Sequence, residues 1–401
     1  MDVPAHQPSY QEVRVGPRGR HLPAGSPTNV TAAVDELTVT FESSPGESAD
    51  VTLNAAWLRD NCPCSECRIL QTDERRWQPW RDIDSPQAVA ASVIDGAVHV
   101  AWASGHESVF TPADFEGIDR ASHRGTWVGR AWTSGYDIER FDHDAAVSDP
   151  VTRRRLFESF RRDGAIVVTG SPVVPGSVID FVGALGLTVR DSSLGLIFDV
   201  KLDPTGYNIA YTAEDVPPHN DNAQYTNPPS GQALAMIVNE ATGGESVVVD
   251  SWSILAQLEA VDPGAIDVLS RVPVGHRQYS TTAEGFSRNP LVVRDRDGQI
   301  LHLRFSNQLM QPLNFDDPDL AAWYRAYRLL GTIVSDRANH VAFRLEAGDT
   351  LFVNNHRVLH SRTAFRPDGP RHLQDIYFDV DDVFGNLARM TGEATNAMVA
   401  S

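Results

Sequence analysis

His219, Asn220 and Asp221 follow two prolines in the run VPPHNDNAQY. In an extended segment, residues i and i+2 point to the same side, so His219 and Asp221 can present an imidazole and a carboxylate to one metal ion. Two histidines and one carboxylate on one face of iron(II), with the opposite face open, are typical of oxygen-activating sites. Because His-x-Asp also occurs by chance in solvated turns, the motif needs a second histidine from elsewhere in the chain.

The segment GDTLFVNNHRVLHSRTAF offers two histidines for that position, His356 and His360. Arg371 follows eleven residues after His360 and opens the predicted strand RHLQDIYFDV. A guanidinium binds a carboxylate through two parallel hydrogen bonds, so Arg371 is a candidate to hold the far carboxylate of 2-oxoglutarate while its keto-acid end binds iron. The alternative is that His360 is a core histidine and Arg371 a surface charge.

The three cysteines of the chain, Cys62, Cys64 and Cys67, lie within six residues. An odd number of cysteines at this spacing cannot form a disulfide framework, and the pattern indicates metal binding. A tetrahedral zinc site needs a fourth donor. We prefer His106, at the end of a predicted strand, to His99, which lies in the middle of it. Such a closed site would be structural and would contribute folding free energy; three free cysteines are the alternative.

The second half of the chain contains the elements that must position these residues. The stretch VTRRRLFESFRRDG predicts an amphipathic helix that ends at Gly164. Further helices are predicted in SILAQLEAV, PGAIDVLSRV and DLAAWYRAYRLLGTIVSDRA, and strands in AIVVTG, GQALAMIVNE, GESVVVDSW, PLVVRD, ILHLRF, DTLFVNN and LQDIYFDV. Most of these strands follow one another without an intervening helix, which disfavours a doubly wound parallel sheet. The order favours a mainly β jelly roll, the double-stranded β-helix, with flanking helices.

The pattern also predicts domain boundaries. Residues 1–35 are rich in Pro, Gly, Ser and Thr and are expected to form a flexible arm. Residues 36–115 contain the alternating segments ELTVTFE, DVTLN and AVHVAW, which predict a small β domain that carries the cysteines. Residues 116–150 are expected to be a linker, and residues 151–401 the jelly-roll domain.

The composition of the chain limits the kinds of partner that it can bind. The 401-residue chain has a net charge of −19 and 41% hydrophobic residues, and its sequence pI is near 5.0. An acidic protein lacks the basic surface that nucleic acids and anionic lipids require, so we expect a small-molecule partner. No run of about 18 apolar residues is present, and the N-terminus lacks the apolar core of a secretory signal. We therefore expect a soluble cytoplasmic protein.

Several stretches together resemble the gamma-butyrobetaine hydroxylase and trimethyllysine hydroxylase family. They are AAWLRDNCPCSECR, the pattern W-x3-H-x-S-x-F from Trp102 to Phe110, HND, GGESVVVD, and the pattern N-x-R-x-L-H-x-R from Asn355 to Arg362. The resemblance runs from about residue 36 to 390. It implies a small zinc domain before a jelly-roll dioxygenase domain that uses Fe(II), 2-oxoglutarate and O2 to hydroxylate an unactivated C–H bond, and it implies a homodimer.

Carried over position by position, the resemblance implies a role for each candidate residue. The zinc ligands would be Cys62, Cys64, Cys67 and His106, and the iron ligands His219, Asp221 and His360. Arg371 would bind 2-oxoglutarate, with Leu234 lining that pocket. A cation–π cage for a trimethylammonium group would comprise Tyr211, Tyr377, Phe198 and, where the family has an aromatic residue, Leu194. Asn208 and Asn307 would bind the substrate carboxylate.

The resemblance makes gamma-butyrobetaine, hydroxylated to L-carnitine, the leading substrate. Trimethyllysine, a trimethylammonium phosphonate or a modified amino acid are the alternatives with the same chemistry. Because Asp221 fills the position that a halogenase leaves to chloride, hydroxylation is favoured over halogenation. Two other classes remain open: a ligand-binding relative without turnover, and a zinc hydrolase with Glu214 as its general base.

Overall fold

A computed structural model of the chain describes residues 10–81, 86–192, 195–203, 208–279 and 283–392. These residues divide into two compact units. One contains residues 10–15 and 127–390, and the other contains residues 16–126 with 391 and 392.

The elements are numbered in chain order. The strands are β1 (Gln11–Val15), β2 (Ser26–Ala32), β3 (Glu36–Ser44), β4 (Glu47–Asn54), β5 (Arg68–Ile69), β6 (Glu74–Arg75), β7 (Ala88–Ile94), β8 (Ala97–Trp102), β9 (Glu107–Phe110), β10 (Trp127–Ala131), β11 (Arg140–Asp142), β12 (Ala165–Thr169), β13 (Val189–Arg190), β14 (Phe198–Lys201), β15 (Val216–His219), β16 (Gly231–Asn239), β17 (Thr242–Gly243), β18 (Ser246–Asp250), β19 (Val274–Tyr279), β20 (Glu284–Asn289), β21 (Val292–Arg294), β22 (Ile300–Leu303), β23 (Val341–Phe343), β24 (Thr350–Asn354), β25 (Val358–Arg362), β26 (Phe365–Arg366) and β27 (Arg371–Phe378).

The α-helices are α1 (Ala55–Asp60), α2 (Pro112–Ser122), α3 (His143–Ser148), α4 (Pro150–Asp163), α5 (Ser177–Ala184), α6 (Ser251–Val261), α7 (Ala265–Arg271), α8 (Leu320–Ser335) and α9 (Val380–Thr391). Short 3-10 helices lie at Pro79–Arg81, Ile209–Tyr211, Asn307–Leu309 and Arg337–Asn339. Within the described ranges, no helix is both long and apolar enough to cross a membrane.

The smaller unit is built on two three-stranded antiparallel sheets, β2-β3-β4 and β7-β8-β9. Alternate residues of β3 and β8 are buried in one apolar cluster, as the two-residue period of a strand requires. Asn54 caps α1 by accepting a hydrogen bond from the backbone N–H of Trp57. The three cysteines follow α1 directly, so this short helix fixes where the metal-binding loop begins.

The larger unit contains the predicted jelly roll. Strands β14, β27, β16 and β24 pair antiparallel in that order, and strands β15, β25, β18 and β23 form a second antiparallel sheet. Along the chain, the eight strands of these two sheets alternate between the sheets, except that β18 and β23 are consecutive members of the second sheet; this is the order of a double-stranded β-helix. The topology confirms the expected fold class, with β12 and β11 extending the first sheet beyond β24.

Strands β12, β16 and β24 of the first sheet are largely apolar because both faces of this sheet are covered. In β16, Ala233 and Ala235 pack into the cluster that contains Phe157 and Phe160 of α4. Leu234, on the opposite face, joins the cluster between the two sheets. Helix α4 is confirmed where the amphipathic pattern predicts it, and it ends at Gly164 in the left-handed conformation, with φ 77°.

The structure differs from two of the expected domain boundaries. Residues 26–32, expected within the flexible arm, form β2, which pairs with β3. The sequence signal is weak there because polar residues dominate the strand, and the pairing register shifts after Pro27. Residues 116–150, expected as a linker, contain the end of α2, then β10, β11 and α3. These elements are short, so the periodic signal that would reveal them is also short.

Candidate active site

His219 and His360 lie opposite each other on the neighbouring antiparallel strands β15 and β25. Their ring centroids are 4.4 Å apart. Asp221 follows β15 and completes the cluster, with Oδ1 3.3 Å from His219 Nε2 and Oδ2 3.6 Å from His360 Nε2. The three side chains that sequence analysis selected therefore converge, and each offers one ligand atom to a common point.

The two histidines differ in what sets their pKa. The Nδ1 of His219 lies 2.8 Å from the Pro217 carbonyl, which accepts a hydrogen bond from it; burial opposes protonation of His219, but the contacts with Asp221 and Pro217 raise its pKa. This hydrogen bond is typical of metal-binding histidines, whose other ring nitrogen is fixed by a carbonyl or carboxylate. Burial, together with the neighbouring His219, lowers the pKa of His360 to about 4. At neutral pH His360 is therefore an uncharged donor, as iron binding requires.

Asn355 fixes the backbone of Asp221. Its Oδ1 accepts a hydrogen bond from the Asp221 N–H at 2.9 Å, and its Nδ2 donates to the Asp221 carbonyl at 3.0 Å. Asn220 links the same segments by two further hydrogen bonds: its side chain donates to the Asn355 carbonyl and accepts from the Phe305 N–H. The loop after β15 is thereby joined to the loop before β25, and the two halves of the cluster are held in register.

The carboxylate of Asp221 is oriented by two donors. Its Oδ2 accepts from Gln232 Nε2 at 2.7 Å and from the Tyr377 hydroxyl at 2.9 Å. Both donors also contact Asp375 Oδ2. Burial, reinforced by the nearby Asp221, raises the pKa of Asp375 well above its usual range, so this carboxyl is neutral. Burial opposes ionisation of Asp221, but the nearby His360 and hydrogen bonds from His219 and Tyr377 lower its pKa.

Gln232 and Asp375 were not identified from the sequence. Gln232 is a fully buried polar residue in the largely apolar strand GQALAMIVN, and Asp375 is one in the almost fully buried strand RHLQDIYF. A polar side chain at a core position must be hydrogen-bonded, and that is the signal that would have indicated them.

Arg371 is a buried cation at the start of β27. It is 8% exposed, and no hydrogen bond or ion pair to its guanidinium is found among the residues that the structure describes; its Nε is buried without a partner. Burial, with repulsion from Arg362 and Arg344, lowers the pKa of Arg371 to about 10, so it stays charged. A buried charge needs a counter-charge, and a carboxylate entering the adjacent cavity would provide it.

A cavity of about 370 Å³ joins these groups. His219, Asp221, His360, Leu234 and Arg371 all line it. A cavity of this size suits a small cosubstrate beside a small substrate. Its walls thus bring together a three-donor metal cluster and a buried guanidinium, the two features needed to bind a metal-chelating keto acid by both ends.

The expected trimethylammonium cage is only partly brought to the cavity. Phe198 lines it. Tyr211 is not among the lining residues, although its ring centroid lies 5.5 Å from that of Phe198. Tyr377 does line the cavity, but its hydroxyl is bonded to Asp221, which makes it a support for that carboxylate. The expectation for Leu194 lies outside the described residues.

The two asparagines expected to bind a substrate carboxylate differ in position. Asn208 lines the cavity, while its Oδ1 caps the next 3-10 helix by accepting from the Ala210 N–H. Asn307 is exposed and accepts a hydrogen bond from the Tyr327 hydroxyl at 2.8 Å. The structure does not bring Asn307 to the cavity, because this short helix turns its neighbours Ser306 and Gln308 inward instead.

The other histidine choices are placed elsewhere. His356 bonds through Nε2 to the Pro228 carbonyl, and its ring stacks on His302 at 4.1 Å. His99 lies within β8, opposite Val109. The preference for His360 and His106 over these two agrees with the observed positions.

A second group of candidate metal ligands lies in the smaller unit. The Sγ atoms of Cys62, Cys64 and Cys67 are 3.4, 3.7 and 3.6 Å from His106 Nε2. In a tetrahedral zinc site with ordinary bond lengths, sulfur and nitrogen ligands are about 3.6 Å apart. The four side chains therefore already fit such an ion. Arg59 donates to Cys67 Sγ at 3.2 Å, a contact suited to a thiolate.

Comparison with known proteins identifies similarities over both units. The family described as taurine catabolism dioxygenase TauD, TfdA family matches residues 131–377. The family described as gamma-butyrobetaine hydroxylase-like, N-terminal, matches residues 29–113. The chain is 30% identical over 349 residues to a gamma-butyrobetaine dioxygenase of Pseudomonas sp. (strain AK-1), covering 82% of this chain and 88% of that protein. It is 26% identical to the gamma-butyrobetaine dioxygenase of Homo sapiens, over 83% of this chain and 89% of the relative. A trimethyllysine dioxygenase of Meyerozyma guilliermondii is 23% identical, over 89% and 94% of the two chains.

Proposed function

Because the chain belongs to the gamma-butyrobetaine and trimethyllysine hydroxylase family of TauD/TfdA dioxygenases, we propose that it is an iron(II)- and 2-oxoglutarate-dependent hydroxylase whose leading substrate is gamma-butyrobetaine, giving L-carnitine. The observation that carries this proposal is the convergence of His219, Asp221 and His360 in the cavity that also contains the buried Arg371.

The donor set fits iron(II). Two imidazoles and one carboxylate converge in the cavity and would hold the metal, and this is the ligand set typical of oxygen-activating iron sites. Since Asp221 Oδ2 is engaged by Gln232 and Tyr377, Oδ1 is the oxygen that would bind the metal.

Bound there, iron would supply the oxidising power together with 2-oxoglutarate and O2: the keto acid would lose CO2 and take up one oxygen atom of O2 to become succinate, and the other oxygen atom would become the hydroxyl of the product. The protein contributes binding, orientation and exclusion of water. Arg371 donates hydrogen bonds to the far carboxylate of 2-oxoglutarate, and Leu234 covers its apolar methylene groups. The substrate occupies the remaining part of the cavity, near Phe198.

The choice of substrate is supported by the names of the relatives, which include gamma-butyrobetaine dioxygenases and a trimethyllysine dioxygenase. Trimethyllysine, a trimethylammonium phosphonate and a modified amino acid are the competing substrates for the same chemistry. A ligand-binding relative without turnover and a zinc hydrolase with Glu214 as base are competing functions. The three-donor cluster beside Arg371 favours the dioxygenase over both.

For the smaller unit we propose a structural zinc ion held by Cys62, Cys64, Cys67 and His106. All four positions would be filled by protein ligands, so this ion has no site for a substrate. We also propose a homodimer, as the resemblance implies, in the cytoplasm.

The proposed function is tested by measuring the metal content of the protein and its activity with a set of candidate substrates. The dioxygenase should contain one zinc and one iron per chain, whereas a hydrolase should contain two zincs. Decarboxylation of 2-oxoglutarate is followed with betaines and amino acids, and product mass is used to confirm the addition of one oxygen atom. Coupled turnover with gamma-butyrobetaine supports the leading substrate. Turnover with other betaines but not with this one rejects it, and no succinate with any of them supports a binding protein.

A further inference from the structure

Arg304 is a buried arginine that binds one loop through three backbone carbonyls. It is 2% exposed and is not among the residues that line the cavity. Its guanidinium donates to the carbonyls of Ala223 at 2.7 Å, Tyr225 at 2.6 Å and Thr226 at 3.1 Å. These carbonyls belong to the loop 222–226, which begins directly after the candidate iron ligand Asp221. Arg304 therefore holds this loop without lining the cavity itself.

The positive charge of Arg304 is not explained by the stability of the core. Burial lowers the pKa of Arg304 to about 10, so the guanidinium stays charged at neutral pH, and no carboxylate in the described part of the chain forms an ion pair with it. A buried charge costs free energy, and its replacement by apolar side chains is often neutral or stabilising. The hydrogen bonds to the loop are the feature of this arginine that an apolar residue could not supply.

The loop 222–226 needs such support. Its first residue, Asn222, lines the cavity and has a left-handed backbone, with φ 61°. This conformation is uncommon outside glycine, and it persists where surrounding contacts impose it. The loop lies between β15 and β16, so its carbonyls have no partner strand and must be bonded by other donors. Arg304 provides these donors.

The segment that carries Arg304 also binds the chain before Asp221. The Asn220 N–H donates to the Phe305 carbonyl at 2.9 Å, and Asn220 Oδ1 accepts from the Phe305 N–H at 2.8 Å. Because Arg304 and Phe305 are neighbours, one short segment contacts the chain on both sides of Asp221. The backbone between these contacts is thereby fixed, and with it the point from which the Asp221 carboxylate reaches toward the two histidines.

We propose that Arg304 is a positioning residue for the iron site: its guanidinium holds the loop 222–226 so that Asp221 stays directed at the metal and Asn222 stays in the cavity wall. This inference rests on the proposed function and deepens it. An arginine suits the task because its planar group presents several donors in a fixed geometry, whereas the ammonium of lysine is a single point charge on a flexible chain. Arg304→Lys therefore keeps the charge and removes the positioning.

The first measurement is hydrogen–deuterium exchange in the iron-free protein, which does not depend on activity. In Arg304→Lys we expect the amides of residues 220–226 to exchange about tenfold faster or more than in the wild type, since hydrogen bonds from a charged donor are the strong ones. The amides of helix α4 should exchange at the wild-type rate. This pattern would show that the loss of the guanidinium loosens the loop and not the whole unit.

The second measurement is iron titration. Arg304→Lys should bind iron about 10–100-fold more weakly, as expected when the support of a metal ligand is lost. At saturating iron its KM for 2-oxoglutarate should stay unchanged, because Arg371 is intact. Arg153→Lys is the matched control: Arg153 also donates to backbone carbonyls, those of Ala146 and Val147, and it does not line the cavity. This control should keep the wild-type iron affinity and the wild-type exchange of residues 220–226.

Ser287→Ala is a milder change at the same loop and replaces Arg304→Lys if that variant does not fold. Ser287 Oγ donates to the Ala223 carbonyl at 3.1 Å and lies 3.4 Å from Arg304 Nη1. Its removal should speed exchange of residues 220–226 and weaken iron binding by about two- to tenfold, since a hydrogen bond from a neutral donor contributes less.

The outcomes separate the role of Arg304 from the proposed function. Wild-type loop exchange and iron affinity in a folded Arg304→Lys would overturn the positioning role, and so would changes of equal size in Arg153→Lys. If Arg304→Lys does not fold, wild-type values in Ser287→Ala would overturn it. A wild type that binds iron but hydroxylates none of the candidate substrates contradicts the proposed function and leaves the role of Arg304 in iron binding intact.

Discussion

His219 is paired in register with His360, its direct neighbour across strands β15 and β25. Successive residues of a strand point to opposite faces, so a slip of one residue would turn one imidazole away from the other. The metal cluster is therefore a consequence of strand register as much as of residue type. Asn355, which bonds to the backbone of Asp221 on one side and to the Pro229 carbonyl on the other, holds that register.

Asn355→Ala should lower both iron affinity and stability. The side chain is fully buried, and its removal leaves the Asp221 N–H and two carbonyls without partners, at about 1–3 kcal/mol for each unsatisfied group. We expect weaker iron binding and a lower free energy of unfolding, measured by iron titration and urea denaturation. Asn339→Ala, a buried amide outside the cavity lining, is the control; it should lower stability without changing iron affinity. Equal iron affinity in wild type and Asn355→Ala would contradict the assigned role.

Tyr377→Phe distinguishes a support for Asp221 from a wall of a cation–π cage. The variant keeps the aromatic ring but loses the hydroxyl that donates to Asp221 and contacts Asp375. Loss of a group that orients a metal ligand reduces metal affinity by about 10–100-fold. We expect a weaker iron Kd with little change in KM for the substrate. A variant with normal iron affinity would show that the hydroxyl is dispensable; Tyr377→Leu would then test the ring itself.

Buried histidines should make the fold less stable in acid. His276 is fully buried, and burial, with repulsion from Arg304, lowers its pKa to about 4. In the unfolded chain a histidine takes up its proton near pH 6.5. Between about pH 6.5 and 4 the unfolded state therefore binds more protons than the folded state, and stability falls as pH falls.

For His276 alone, the free energy of unfolding should decrease by about 2 kcal/mol between about pH 7 and pH 5. Urea denaturation of wild type and His276→Leu at both pH values measures this contribution of His276. The metal ligands are present in both proteins, so their contribution cancels when the two free energies of unfolding are subtracted. Leucine removes the titrating group, so the variant should lose less stability on acidification. Parallel pH profiles for the two proteins would contradict the prediction.

Zinc removal should affect the smaller unit first. Cys64→Ser deletes one of four ligands whose sulfur and nitrogen atoms are already at tetrahedral spacing. Since metal binding contributes directly to folding free energy in such units, we expect less than one zinc per chain and a lower yield of folded protein. Ser65→Ala is the control, because Ser65 is exposed in the same loop and is not one of the four clustered residues; it should keep one zinc per chain. Unchanged stability of Cys64→Ser would show that the cluster has no structural role.

The candidate metal ligands could be selected from the sequence because their signals are local. His219 and Asp221 are two residues apart, and the three cysteines lie within six. The supporting residues could not, because Gln232 and Asp375 meet across neighbouring strands and are 143 positions apart in sequence. The position of Asn307 could not be predicted either, because the direction of a side chain in a short 3-10 helix is not evident from the sequence. Ser306 and Gln308 line the cavity, whereas Asn307 bonds to Tyr327 outside it.

The fold class followed from the order of apolar strands, whereas short elements were missed. Strand β16 has an unbroken apolar run from Ala233 to Val238 and pairs with two neighbours, so its signal is strong. Strand β2 buries two of its seven residues, Pro27 and Val30, and its sequence looks like a polar arm. Pairing with β3 determines the conformation of β2, and the sequence of β2 alone does not reveal that pairing.

The dependence of hydroxylation on the histidine–aspartate cluster is tested most directly by the amounts of hydroxylated gamma-butyrobetaine and of succinate formed by the iron-loaded wild type and by His219→Ala. We expect equimolar succinate and L-carnitine from the wild type, and neither from the variant, whose zinc content stays at one per chain. Succinate and hydroxylated product at wild-type levels from His219→Ala would contradict this expectation, because the reaction would then not depend on the cluster formed by His219, Asp221 and His360.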